Sequence, residues 1–112
     1  MVDVVSKNNL VLIYAVFPKS FKIKRLSHEL IEKKLIVCAN VINKVQSIYQ
    51  WQGKIETAIE QIVIFKTHKK FKAKTMKLIL QGHPYKVPVV LEIKVGDLNT
   101  SYNDFLIKEL TT

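Results

Sequence analysis

The chain has 112 residues, 48% of them hydrophobic and 24% charged, with 18 basic residues against nine acidic ones for a formal net charge of +9. This size predicts a single domain, residues 1–112, with its own hydrophobic core. The longest apolar run, Leu10 to Phe17, is far shorter than the ~20 residues of a membrane-spanning helix. We therefore expect no membrane insertion and, because the N-terminus lacks a secretory pattern, a cytoplasmic protein.

The single cysteine, Cys38, cannot close a disulfide within the chain or build a closed metal site alone. The positive charge is concentrated between residues 66 and 77, which favours an anionic partner. The same run also fits the solvated face of a lysine-rich helix. Only one arginine is present, and the predicted central strands lack the aromatic platform of RNA-binding sheets, so nucleic acid is not favoured as a partner.

The predicted elements follow a β-α-β-β-α-β order with an additional C-terminal helix. In chain order they are a buried strand (9–16), a helix after Ser20 that ends near residue 33, a long β-hairpin (36–50 and 54–67), a helix (68–81), a strand (89–95) and a short helix (101–110). Thr67 is expected to cap the second helix, and Gly82 to end it in a left-handed conformation. The order predicts an α+β, ferredoxin-like βαββαβ sandwich.

The hairpin, with a tight reversal at residues 51–54, is the most informative element. Its arms are longer than a compact domain of this size needs, and they become more polar towards the reversal. We therefore expect part of the hairpin to serve something outside its own subunit.

Several local strings occur together in this chain. They are Val37-Cys38-Ala39-Asn40, the run from Ser47 to Glu56 that contains Tyr49-Gln50-Trp51-Gln52-Gly53-Lys54-Ile55-Glu56, Lys66-Thr67, and His83-Pro84-Tyr85 followed by Pro88. In order and spacing, these strings resemble the CutA family of divalent-cation tolerance proteins. The resemblance covers the chain from about residue 10 to residue 106.

This resemblance implies a ferredoxin-like subunit in a tight homotrimer, whose hairpin arms reach across and extend neighbouring sheets. It implies a link to tolerance of copper and other divalent cations, with divalent metal as the ligand and no covalently bound cofactor. The architecture is also similar to that of PII-type signalling trimers. Ala58, Lys86 and Val89 stand where the family often has acids, which argues against a purely carboxylate metal site.

Two residues are candidate metal ligands. Cys38 offers a soft thiolate suited to copper, although a lone cysteine in an apolar strand also fits a small core residue. His83 is a second candidate ligand within the His-Pro-Tyr string, although it also fits a loop residue fixed by Pro84. We expect such a site to share its ligands across subunits.

A second candidate is a cleft between subunits. Its predicted lining is Tyr49, Trp51, Glu56, Lys66 and Tyr85, a set suited to a small anionic ligand or a partner protein. The aromatic residues equally fit a subunit interface. Glu60, a mid-strand charge, is expected to have a structural role with Lys66 or a neighbouring subunit's lysine as its partner.

No catalytic constellation is present in the sequence. There is no glycine-rich phosphate loop, no Cys-x-x-Cys pair and no patterned nucleophile and base. We therefore expect a homotrimeric, non-enzymatic protein that binds or responds to divalent metal, copper foremost. The alternative is a PII-like trimeric signalling or scaffold protein that binds a small anion or partner protein in its intersubunit clefts.

Overall fold

The computed structural model describes residues 3–111. The elements in chain order are β1 (Val4–Val5), β2 (Leu10–Pro18), α1 (Ile23–Glu32), β3 (Cys38–Trp51), β4 (Lys54–His68), a 3₁₀ turn (Lys69–Phe71), α2 (Lys72–Gln81), β5 (Val90–Lys94), β6 (Leu98–Asn99) and α3 (Thr100–Thr111). The predicted α+β, ferredoxin-like fold is confirmed.

The main sheet has four strands in the order β3-β4-β2-β5, and all of its pairs are antiparallel. β2 is one of the two interior strands. From Val11 onward, its buried residues therefore alternate with half-buried ones. A separate two-stranded pair, β1 with β6, was not predicted. It is too short to show an alternating pattern in the sequence.

One face of the main sheet packs against α1 and α2. The buried residues on this face are Val11, Ile13, Ala15 and Phe17 of β2 with Val63 and Phe65 of β4, and they contact Ile23 and Leu30 of α1 and Ile79 of α2. These positions alternate along both strands, as the two-residue period of a strand requires. They form the main hydrophobic core.

The opposite face is covered only at one end, where α3 packs. Leu106 and Leu110 of α3 form a small cluster with Leu10, against which Leu12 is also packed. Beyond that end lies what we call the open face, a set of apolar side chains that are half-buried or exposed: Tyr14, Val16, Ile62, Ile64, Leu91 and Ile93. No helix among the described residues packs over this set.

The β3–β4 hairpin extends well beyond the core. Its strands have 14 and 15 residues, whereas strands of globular proteins usually have 3–10. The longest dimension of the chain is 50 Å, against 29 and 22 Å in the other directions. The predicted long hairpin is therefore present in the structure.

The reversal at the hairpin tip is a two-residue turn. Gln52 and Gly53 both have positive φ, +50° and +80°, which is the combination that matches the twist of paired strands. A bulge between Ile42 and Val45 interrupts the pairing, and Lys44 there has a φ of +59°. The bulge divides the hairpin into an inner half beside the core and an outer half that runs to the tip.

One predicted helix cap and one predicted cap conformation are wrong, although α2 ends at Gln81 as expected. Thr67 does not cap the second helix, because it is fully buried in β4 and its hydroxyl donates to the carbonyl oxygen of Leu35 at 2.5 Å. The His68 ring caps the 3₁₀ turn instead and accepts from the Lys70 N–H at 3.0 Å. Gly82 has a φ of −90°, so the end of α2 does not use a left-handed glycine.

Candidate functional site

A buried carboxylate and a tyrosine meet at the end of the open face furthest from α3. Glu60 of β4 is only 8% exposed, and the Tyr85 hydroxyl donates to its Oε2 at 2.6 Å. Burial raises the pKa of the Tyr85 phenol, and the hydrogen bond to Glu60, the Glu60 charge and nearby Tyr49 raise it further. The phenol therefore stays protonated and acts as a donor.

The carboxylate of Glu60 has no cationic partner in the described part of the chain. Ion pairs between described residues join Lys33 to Glu29 and Lys72 to Glu92, each at 3.1 Å, and neither involves Glu60. Lys66, the expected same-chain partner, lies six residues along β4, which corresponds to about 20 Å between Cα atoms. Within one subunit, the partner of Glu60 is therefore Tyr85 rather than Lys66.

His83 is held on both sides of its ring. Its Nδ1 accepts from the Tyr85 N–H at 3.1 Å, which leaves Nε2 to donate to the Val16 carbonyl oxygen at 2.7 Å. The ring also stacks on Phe17 with 4.5 Å between centroids. Both nitrogens are thus engaged within the subunit, and binding of a metal by His83 requires one of these hydrogen bonds to break.

A second group of polar residues lies at the other end of the open face, beside α3. Lys66 is half-buried, stands opposite Cys38 in the β3–β4 pairing, and places its Nζ 5.5 Å from the centroid of the Tyr102 ring. Burial raises the pKa of Tyr102, and the nearby Cys38 contributes to the same rise. Cys38 is half-buried at the first position of β3, which begins two residues later than the predicted arm.

The structure does not bring Cys38 and His83 together within one subunit. Cys38 lies opposite Lys66, whereas His83 bonds to Val16, which stands opposite Ile62. Those two positions of β4 are four residues apart, or about 13 Å along the strand. A metal site that used both residues would need two copies of the chain, as the sequence prediction allowed.

The predicted cleft residues are likewise divided between separate places. Tyr49 and Glu56 are opposite one another in the outer half of the hairpin, and Tyr49 is close enough to Tyr85 to affect its pKa. Trp51, at the tip, is 45% exposed. Lys66 lies in the inner half, so a cleft lined by all five residues would require more than one copy.

Two surface cavities lie beside α1, and none of the predicted site residues lines either of them. The first, of about 430 Å³, is bounded by Phe21, Lys22, Arg25, Pro84 and neighbouring residues. The second, of about 680 Å³, is lined by α1 alone. Among residues 3–111, no three His, Cys, Asp or Glu side chains are grouped so that they could hold a metal ion.

Two site features were missed at the sequence level. The Tyr85–Glu60 hydrogen bond joins residues 25 positions apart, and no local pattern reports such a contact. Tyr102 lies in a helix whose position on the sheet was not predicted, so its contact with Lys66 was also missed. The charged residue in the middle of the predicted strand, Glu60, was the available sequence signal for the first contact, because a buried carboxylate requires hydrogen-bond partners.

Within residues 3–111, no helix has the length and apolar character needed to cross a membrane.

Comparison with known proteins gives consistent matches. A family model described as CutA1 divalent ion tolerance protein matches residues 11–109. The divalent-cation tolerance protein CutA of Thermococcus kodakarensis is 34% identical over 100 residues, covering 89% of this chain and 95% of that protein. The protein CutA 1, chloroplastic, of rice is 29% identical over 96 residues, covering 86% of this chain and 54% of that protein.

The solved structures agree with the sequence matches. The crystal structure of divalent ion tolerance protein CutA1 from Ehrlichia chaffeensis superposes with a TM-score of 0.87 at 28% identity, covering 96% of this chain and all of that one. The family description and the names of the Thermococcus and Ehrlichia proteins refer to tolerance of divalent ions rather than to an enzymatic reaction.

Proposed function

Since this chain belongs to the CutA1 divalent ion tolerance family, we propose that it acts as a cytoplasmic homotrimer that binds or responds to divalent metal ions, copper foremost. The proposal assigns it no catalytic reaction. The ligands of the proposed metal site come from more than one subunit.

The open face is the observation that carries the proposed assembly. Leu91 and Ile93 are 40% and 38% exposed, and the outer half of the hairpin leaves Ile48 and Ile55 68% and 81% exposed. Large apolar side chains exposed over two separate regions are typical of interaction surfaces rather than of the free surface of a monomer. Packing of this face and of the outer hairpin against further copies removes that surface from water and gives the long strands a role.

Cys38 is the first metal ligand in the proposal. Its half-buried thiol lies at the border of the open face, where a neighbouring subunit would pack. Thiolate sulfur favours soft ions such as Cu(I). His83 is the second ligand, and it joins the site only after one of its present hydrogen bonds is released. Copper binding through His83 is therefore expected to be weaker than binding through Cys38.

Calorimetric titration of Cu(II) tests the assignment to a divalent ion, and anaerobic titration of Cu(I) against a chromophoric chelator tests the thiolate ligand. We expect Cys38→Ser to weaken Cu(I) binding by at least tenfold and His83→Gln to weaken it less. His28→Gln is the matched control, because His28 is exposed on α1. Equally weak binding by the wild type and all three variants would contradict the metal assignment.

A second candidate function rests on the aromatic residues of the outer hairpin. Tyr49 and Tyr85 lie close together near Glu60, and Trp51 is exposed on the same arm. Aromatic walls next to one carboxylate and one ammonium, that of Lys66, suit a small polar or anionic ligand or a partner protein. In this alternative, the trimer is a PII-like sensor or scaffold whose ligand binds between subunits.

Trp51 is the only tryptophan, so its fluorescence reports directly on this cleft. Titration with a panel of nucleotides and organic acids should give a saturable change in emission that is lost in Tyr85→Ala but kept in Tyr14→Phe. A flat response across the panel would exclude a small ligand next to Trp51.

A further inference from the structure

Within residues 3–111, the open face has a charge without an ionic partner at each end, and the two charges are opposite in sign. Glu60, 8% exposed, lies at one end, and half-buried Lys66 lies at the other. Both project from the same face of β4, because they are an even number of residues apart. Their same-chain contacts are uncharged partners, the Tyr85 hydroxyl and the Tyr102 ring.

Neither charge can be neutralised by the other within one subunit. Their separation of six positions spans about 20 Å, well beyond the combined reach of the two side chains and about two and a half times the Debye length at physiological salt. Burying a carboxylate and an ammonium without ionic partners is unfavourable, and covering the open face would bury both more deeply. Whatever covers this face must therefore supply a cation at one end and an anion at the other.

A second copy of this chain meets both requirements. We propose that Lys66 of one copy pairs with Glu60 of the next, so that the Glu60–Tyr85 group and the Lys66–Tyr102 group are two halves of one intersubunit site. The apolar strip between them, Tyr14, Val16, Ile62 and Ile64, packs against the neighbouring copy. This inference rests on the proposed homotrimer and specifies which residues each subunit contributes.

The pairing has a chemical consequence for the proposed metal site. Cys38 stands directly opposite Lys66 in the β3–β4 ladder, where cross-strand side chains are about 5 Å apart. When Lys66 contacts Glu60 of the next copy, the Cys38 thiol also lies near that carboxylate.

Charge reversal tests the pair directly. The variants are Glu60→Lys, Lys66→Glu and the double variant, with solution mass and the subunit dissociation constant measured by light scattering and analytical ultracentrifugation. Each single variant should raise the dissociation constant by at least a hundredfold. The double variant should recover at least tenfold of that loss, because the exchanged charges attract again.

Matched controls make the same charge changes elsewhere. Glu32→Lys on α1 and Lys74→Glu on α2 are exposed and lie away from the open face, so they should change the dissociation constant less than threefold. Circular dichroism checks that each variant is folded. If a reversal prevents folding, Glu60→Gln, Lys66→Met and their double variant replace the set, with the same non-additivity expected.

The outcomes separate the two claims. An oligomeric wild type in which the two substitutions are additive, or in which either reversal leaves assembly unchanged, overturns the Glu60–Lys66 pair but leaves the proposed trimer standing. A monomeric wild type overturns the proposed assembly and the pair together. Recovery in the double variant supports the pair alone, since Cu(I) titration tests the metal assignment separately.

Discussion

The inner and outer halves of the β3–β4 hairpin are continuous in sequence but have different surroundings. In the inner half, Val63 and Phe65 are completely buried against α1 and α2. In the outer half, beyond the bulge at Lys44, Ile55 is 81% exposed and Trp51 is 45% exposed. The inner half is thus part of the hydrophobic core and the outer half is exposed, and we propose that the inner half folds the chain while the outer half builds the assembly.

The largest effect is expected in the inner half. Phe65→Ala should lower the free energy of unfolding by about 3–5 kcal/mol, because a fully buried ring is replaced by a cavity. Phe105→Ala is the matched control, since Phe105 is 46% exposed on α3, and its cost should stay below about 1 kcal/mol. Urea denaturation gives both values. Similar costs at the two positions would remove the distinction between buried and exposed aromatic residues.

The outer half should respond through assembly instead. Trp51→Ala should raise the subunit dissociation constant by at least tenfold, about 1.4 kcal/mol, while the circular dichroism of the subunit is unchanged. Leu80→Ala, at a 46% exposed position on α2, is the control and should leave the solution mass unaltered. The comparison fails if Trp51→Ala instead unfolds the subunit and leaves assembly intact.

The turn that joins β3 to β4 at the hairpin tip should show an intermediate effect. Gly53→Ala should cost about 1–2 kcal/mol of stability, because alanine is strained at a φ of +80°. No described atom lies within 4 Å of the added methyl group, so the cost comes from the backbone alone. Gly96→Ala likewise meets no described atom within 4 Å, and its φ is not positive. Gly96→Ala should therefore change stability by less than about 0.5 kcal/mol. Thermal melts of the two variants measure both costs.

The smallest effect is expected at the inner end of β4. Burial lowers the pKa of His68 from 6.5, and the charges of Lys70 and Lys69 lower it further. The unfolded chain therefore takes up the proton first as the pH falls. The stabilisation from neutral His68 is complete above the unfolded pKa and is lost as the pH drops through the lower folded value.

Melting temperatures between pH 7 and pH 5 measure this contribution. The wild type should lose slightly more stability across that range than His68→Asn, which can keep the cap to the Lys70 N–H without titrating. His28 and His83 are present in both proteins and cancel in the comparison. Identical pH profiles would show that His68 makes no such contribution.

The features that the sequence predicts well are those with a local physical signal. The uninterrupted apolar run of β2 and the apolar inner end of β4 predict the sheet, and the Gln52-Gly53 pair predicts the reversal, because positive φ values favour glycine. The excess length of the hairpin can be read from the number of residues between the two predicted helices. These signals suffice for the fold and for the presence of an outer half.

The features that were wrong or missed depend on distant contacts. Thr67 resembles a helix cap by residue type, yet Leu35, 32 positions away, supplies its hydrogen-bond acceptor and holds it in the strand. The partner of Glu60 was missed because Tyr85 reaches it from a loop. The bulge at Lys44 has no glycine to mark it. The candidate site is therefore less predictable than the fold, since it is made of such contacts.

The central claim is that the open face and the outer hairpin are subunit interfaces, and the mass of the protein in solution tests it most directly. Light scattering at micromolar concentration should give about three times the 12.9 kDa of one chain. A stable particle of 12.9 kDa would contradict the account, because the open face and the long hairpin would then remain in contact with water, and Glu60 and Lys66 would remain without ionic partners.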